Sequence, residues 1–302
     1  MHAEQPRNPG TPLDLHAVEA RAFDDTRLGS EAREIAARFD PSPDDRTRWL
    51  LRAVACMDLT TLSGDDTPQR VRALCARARQ PMHADFLERL GAADLTVAAV
   101  CVYHAMIAPA LAALNGSGIP VSAVAAGFPH GLSPLSARVA EIEASVAAGA
   151  TEIDVVIARH LALSADWPAL YEEIRTFREA CGTAHMKVIL ATGELGSLST
   201  VACASQVAMQ AGADFIKTST GKEKVNATLP AALIMLREIR GYHAATGFRV
   251  GFKPAGGIST AALALDYLAL VRAELSDEWI TPALLRFGAS SLLDDIEANL
   301  SA

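Results

Sequence analysis

Eight short apolar runs, separated by longer stretches rich in Ala, Leu, Arg and Glu, constrain what this chain can fold into more than any other feature. They are residues 53–62, 95–103, 120–128, 151–157, 185–192, 214–220, 249–258 and 284–291. Their starts lie roughly 25 to 42 residues apart, which leaves room for a strand, a helix and two connections each time. Eight such βα units are expected to close into a (β/α)8 TIM barrel of the α/β class. An open doubly wound sheet is the alternative, but it commonly uses fewer strands and carries a phosphate fingerprint after the first one. No G-x-G-x-x-G follows residues 53–62 here. Gly149 and Gly212 supply helix stops just ahead of two of the strands.

Ahead of the first run, residues 1 to 12 read as a loose tail, and LDLHAVEARAFDDTRLGSEAREIAARF reads as helical, with Ile35 and Phe39 at i, i+4 spacing. The expected division is therefore a tail and helical extension over residues 1–48 and a barrel over 49–302. No linker or low-complexity segment interrupts the barrel.

Composition narrows the partners. The balance of 27 Lys+Arg against 35 Asp+Glu gives a net charge of −8, unsuited to coating nucleic acid but compatible with a local basic pocket for a small anion. No run approaches the eighteen or so apolar residues of a membrane span. The five cysteines are an odd, scattered set without a C-x-x-C pair, so neither a disulfide framework nor a zinc site is expected. His104, His130 and His160 lack metal-ligand spacing, and Cys75 in RVRALCARA is most simply a buried helix residue. The N-terminus has no apolar signal core, and a reducing cytosol is the expected compartment. Apolar helical faces admit a homodimer without selecting it.

In a barrel, side chains at the C-terminal ends of strands face the active site. Lys217 interrupts DFIKTST, Lys253 interrupts VGFKPAGG and Asp154 interrupts TEIDVVI. A lone strand lysine is more often a snorkelling side chain or half of a structural ion pair. Two lysines on consecutive strands are different, because desolvation and a neighbouring positive charge both favour the neutral amine of one of them. At an ordinary pKa of about 10.4, roughly one amine in a thousand is neutral near pH 7.4; lowering it by about three units costs on the order of 4 kcal/mol and makes a usable nucleophile. That is the logic of Schiff-base chemistry. Asp154 is then a proton carrier or a counter-ion of the lysine pair. The turns Thr220-Gly221-Lys222, Ala255-Gly256-Gly257 and Gly288-Ala289-Ser290-Ser291 follow the last three strands, where barrels often hold phosphate.

Taken together and in order, DLTTLSGDDT, VAAVCVY, AAGFPHG, TEIDVVI, KVILATGEL, GADFIKTSTGK, VNAT, GFKPAGGI and RFGASSLL resemble the deoxyribose-phosphate aldolases across nearly the whole chain. The resemblance implies cofactor-free, metal-free, reversible cleavage of 2-deoxyribose 5-phosphate into acetaldehyde and glyceraldehyde 3-phosphate, in deoxyribose catabolism. It implies Lys217 as the Schiff-base lysine, Lys253 as the second lysine, Asp154 as the proton-transferring aspartate and Asp58 in the supporting polar network. It also implies phosphate around Lys222, Gly256, Gly257, Ser290 and Ser291. Some relatives carry a C-terminal tail tyrosine that reaches the site. Here Tyr103, Tyr171, Tyr242 and Tyr267 all precede the final helical stretch, so that step is expected to fall to Asp154, Lys253 and water. A transaldolase-like Schiff-base barrel and a catalytically silent sugar-phosphate binder are the competing readings. The first would take a ketose donor, and the second has no need of a buried lysine pair.

Overall fold

Each of the eight apolar runs contains a strand: β1 (Met57–Thr60), β2 (Ala99–Tyr103), β3 (Val121–Ala125), β4 (Glu152–Val156), β5 (His185–Ile189), β6 (Phe215–Lys217), β7 (Gly251–Lys253) and β8 (Phe287–Ala289). This is a computed structural model, and it describes residues 6–301. All strand pairs are parallel, in the order β7-β6-β5-β4-β3-β2-β1-β8. Bridges from Phe252 to Leu285 and from Ala255 to Gly288 bring β7 to the β8 side and complete a (β/α)8 TIM barrel. The strands are shorter than the runs that announce them. Residues 53–55, read as the start of the first strand, finish a helix instead.

The expected single N-terminal helix is divided into α1 (Leu15–Glu19) and α2 (Asp25–Ala37), and α3 (Pro43–Ala55) leads into β1. The break has a local cause: Asp24 adopts an extended backbone and its carboxylate accepts from the N–H groups of Thr26 and Arg27, which starts a new helix. Phe39 thus lies beyond the end of α2. The division expected before Trp49 falls inside α3.

The barrel helices follow as α4 (Pro68–Arg79), α5 (Ala84–Arg89), α6 (Ile107–Leu114), α7 (Leu135–Ala147), α8 (Arg159–Leu163), α9 (Trp167–Cys181), α10 (Leu198–Gln210), α11 (Leu229–Thr246), α12 (Ala261–Leu275) and α13 (Leu292–Ser301). The extension lies outside this ring, α1 against α10 and α2 against α11 and α12. Its apolar side buries Val18, Leu28 and Ala32, and Arg21 meets Glu238 at 3.1 Å at its edge. Every residue of α10 from Val201 to Gln210 is buried in consequence.

The segment before α1 is not loose where it is described. Asn8 is buried: its backbone N–H donates to Asp214 Oδ1 at 2.7 Å, its amide to the carbonyls of Met209 and Ala213, and Tyr242 donates to its Oδ1. Residues 1–5 of the expected tail lie outside the described residues. Inside the barrel, the Phe215 ring occupies the space beside β7. A Cβ on Gly251 would come within 2.2 Å of that ring, so only glycine fits there.

Candidate active site

Alternation along a strand places residues two apart on the same side, and this sends Glu152 and Asp154 of β4 into the barrel together. Parallel register then sets Asp154 beside Lys187 of β5, and Lys217 of β6 beside Lys253 of β7. The Asp154 carboxylate is the hub. Its Oδ2 accepts from Lys217 Nζ at 2.7 Å and from Lys253 Nζ at 2.8 Å. Its Oδ1 accepts from Lys187 Nζ and from Ser122 Oγ, both at 3.0 Å. Lys253 also donates to Asp58 in a short contact. All four residues expected to carry the chemistry, Lys217, Lys253, Asp154 and Asp58, therefore meet in one buried cluster.

The cluster is larger than the sequence suggested. Lys187 Nζ lies 2.5 Å from Glu152 Oε2 and 3.7 Å from Asp58 Oδ2. Arg286, just ahead of β8, reaches Asp58 Oδ1 at 2.6 Å and Glu152 Oε1 at 2.7 Å, with its guanidinium over the Phe215 ring. Lys187 and Glu152 gave the same signal as the residues singled out, a charge inside an apolar run, and were passed over. Arg286 stands at the edge of its run, where a charge is unremarkable.

Burial opposes charge on every member, and partners decide the outcome. Asp154, facing three ammonium groups, is held far below the usual carboxylate range despite burial. Against the same burial penalty, Glu152 is drawn down to about 2 by Arg286 and Lys187, and Asp58 is also lowered, by Arg286, Lys253 and Lys187. Lys253, between Asp154 and Asp58, is raised in spite of burial, as is Lys187 between Asp154, Glu152 and Asp58. Lys217 alone among the three goes down. Burial is the main cause, its single carboxylate only partly offsets it, and Lys253 adds repulsion.

Lys217 is also the member of the cluster that lines a cavity of about 360 Å³ at the C-terminal ends of the strands. The rest of the lining comes from the ends of β1 and β8 and the loops after β1, β6, β7 and β8, including Gly221, Lys222, Gly256, Gly257, Gly288, Ser290 and Ser291. The expected phosphate residues thus share one cavity with Lys217. Lys222 Nζ donates to the Leu62 carbonyl at 2.8 Å, spanning the mouth from the β6 loop to the β1 loop. Gly256 has φ +80°, and a Cβ there would meet Asn226 at 2.7 Å.

A loop residue, Glu223, and the first residue of α8, Arg159, escaped the sequence reading. Glu223 accepts from the backbone N–H groups of Thr220 and Gly221 at 3.0 and 3.1 Å, so the Gly221 N–H serves the loop. Arg159 holds Glu223 at 3.2 Å and also donates to the carbonyls of Pro129 and His130. Cys75 sits buried in α4, outside the cavity lining. A larger cleft of about 950 Å³ between Arg38, Trp49 and Arg272 contains none of the expected residues. Among the described residues, no group of three or more His, Cys, Asp or Glu is placed to hold a metal, and no helix is long and apolar enough to cross a membrane.

Residues 52–295 match the DeoC/LacD family of aldolases. A mouse protein named deoxyribose-phosphate aldolase is 54% identical over 295 residues, covering 96% of this chain and 93% of its own. The human protein of that name is 52% identical over 297 residues, covering 97% and 93%. The fold is also that of a deoxyribose phosphate aldolase from Aeropyrum pernix described as tetrameric, at TM-score 0.59 and 22% identity, covering 87% of this chain and 99% of that one. An aldolase family matched over four-fifths of the residues, and relatives more than half identical over nearly all of them, make this chain a member of the DeoC/LacD aldolases.

Proposed function

We propose that this chain is a class I aldolase that reversibly cleaves 2-deoxyribose 5-phosphate to acetaldehyde and glyceraldehyde 3-phosphate through a Schiff base on Lys217. The observation that carries the reading is the asymmetry among three buried lysines. Lys217 has one carboxylate partner, opens on the cavity and is displaced toward its neutral form, while Lys187 and Lys253 are held as cations. The names of the relatives supply the substrate class.

The neutral Lys217 amine adds to the C1 aldehyde and forms a carbinolamine. As it adds, the nitrogen must lose a proton and the carbonyl oxygen must gain one; Asp154, whose Oδ2 faces that nitrogen, carries it across, and a further proton delivered from water through Asp154 lets the hydroxyl depart. Loss of water gives the iminium. Asp154, through ordered water, then takes the C3 hydroxyl proton, and the C2–C3 bond breaks. The electron pair enters the iminium to give an enamine, and glyceraldehyde 3-phosphate leaves. Protonation at C2 and hydrolysis return acetaldehyde and the free amine. The iminium is the electron sink, so the steps need no cofactor.

Borohydride reduction in the presence of acetaldehyde, followed by peptide mapping, tests the assignment. The expected adduct is on Lys217; an adduct on Lys253, Lys187 or Lys222 overturns it.

The phosphate would sit over the loops after β6, β7 and β8, with Lys222 released from Leu62 to meet it. Ser291 is exposed at the rim just before α13, so a carboxylate there is sterically tolerated but repels a dianion. Ser291→Asp is expected to raise KM for deoxyribose 5-phosphate by roughly tenfold and to leave unphosphorylated deoxyribose nearly unaffected. Equal losses on both substrates would place the phosphate elsewhere.

A further inference from the structure

The interior of the barrel holds an uneven set of charges. Lys217 is faced by Asp58 from β1, Glu152 and Asp154 from β4, Lys187 from β5, Lys253 from β7 and Arg286 ahead of β8. Cys101 of β2 shares the space, but burial pushes its thiol up and keeps it uncharged, and Ser122 of β3 carries no charge. Fully ionised, the set has four cations (Lys187, Lys217, Lys253, Arg286) against three carboxylates (Asp58, Glu152, Asp154), with no member more than 6% exposed. A buried surplus charge is costly, and the cluster sheds it by releasing one proton.

A guanidinium cannot be the donor of that proton, so a lysine must be. Lys187 has carboxylate oxygens of Glu152, Asp154 and Asp58 within 3.7 Å, and Lys253 has Asp154 and Asp58. Lys217 has Asp154 alone, on an oxygen it shares with Lys253. The surplus therefore falls on Lys217.

We propose that Arg286, which lies outside the cavity lining, is the positioning residue that makes Lys217 nucleophilic. Its permanent charge engages Asp58 and Glu152 and leaves the three lysines one proton more than the cluster can hold. The proposal rests on Lys217 being the Schiff-base lysine. It adds that the neutral amine is set by a charge count closed on the far side of the barrel, beyond Lys253.

Arg286→Met leaves three lysines facing three carboxylates, so Lys217 has no surplus to shed. Removing a unit charge on the order of 10 Å away, at an effective dielectric of about 20, moves a pKa by about one unit. The acid limb of kcat/KM is expected to move up by about one pH unit or more, roughly a tenfold loss at pH 7, with activity recovered in alkali. Adding Glu152→Gln to that variant leaves three lysines against Asp58 and Asp154. This restores the surplus of one, and the limb should return toward its wild-type position.

An equal loss at every pH in Arg286→Met, or an unmoved limb, overturns the proposal. So does a double variant whose limb stays displaced. If Arg286→Met does not fold, the double variant decides, since removing both halves of a buried pair is better tolerated than removing one. Borohydride mapping of the wild-type chain separates the two claims: an adduct away from Lys217 defeats the Schiff-base assignment. An adduct on Lys217 with a displaced double variant or an unmoved Arg286→Met limb defeats only the role of Arg286.

Discussion

Lys217→Met is expected to lower kcat/KM on deoxyribose 5-phosphate by on the order of 10⁴-fold or more, about 5.5 kcal/mol of transition-state stabilisation. Neither of the other two buried lysines can substitute. Lys187 and Lys253 are fully buried and absent from the cavity lining, and both are held protonated by two or more carboxylates. The fold should survive. Asp154 keeps Lys187, Lys253 and Ser122, and the remaining three cations match the three carboxylates. Methionine fills most of the lysine volume with no charge to bury. The check is steady-state kinetics beside a thermal unfolding scan. Residual turnover above about 1% in a protein that melts near the wild-type temperature, a barrier change of only ~2.7 kcal/mol, would mean that catalysis does not pass through this amine.

Lys253→Leu should give a loss of a different shape. The sign follows from which form of Lys217 works. Only the neutral amine adds to an aldehyde, so activity climbs as pH rises through the Lys217 pKa, and anything that raises that pKa moves the climb to higher pH. Lys253 shares Asp154 Oδ2 with Lys217 and is among the groups holding it low. Without it, Asp154 turns wholly to Lys217 and steadies its ammonium form. The expected result at neutral pH is a drop of roughly 10²- to 10³-fold, as from a rise of two to three pKa units, followed by about a tenfold gain per pH unit toward alkali. Measuring kcat/KM from pH 6 to 10 separates the outcomes. A flat profile at the reduced level would make Lys253 an obligatory proton donor whose electrostatic role is secondary.

Much of this site was legible in the sequence because burying charge is expensive. A lysine or aspartate between apolar neighbours on a strand must have partners, and that reasoning found Lys217, Lys253 and Asp154. The same reasoning applied to HMKVILAT and TEIDVVI would have found Lys187 and Glu152. What hid them was their place near the start of their runs, where a charge reads as a strand end. Arg286 is harder to see. Its partner Asp58 is 228 positions away, and only closure of β8 onto β1 brings them together.

Glu223 was invisible for another reason, since a carboxylate capping the N–H groups of its own loop looks like any surface acid until the loop conformation is known. The fold was read from spacing, yet the strand ends were not. β6 has three residues where the run has seven: Asp214 and Thr218 to Thr220 lie outside the strand, although Thr218 still bonds Lys253 and Thr192 through its backbone, and Thr220 reaches the cavity lining.

The Asn8 clasp imposes an order on biosynthesis. Asn8 leaves the ribosome well before the carboxylate that receives its N–H, which belongs to Asp214, 206 positions later. At about 5 to 20 residues per second, that is roughly 10 to 40 seconds of waiting. Through that interval the N-terminal segment has no partner to dock on, and the apolar side of α2 has no α11 or α12 to cover. Contacts of such separation also slow refolding of the complete chain, since the loop must close before any bond rewards it. The same hydrogen bonds that tie residue 8 to the finished barrel thus make a segment synthesised long before its partners one of the last to settle, and chaperone dependence should concentrate there.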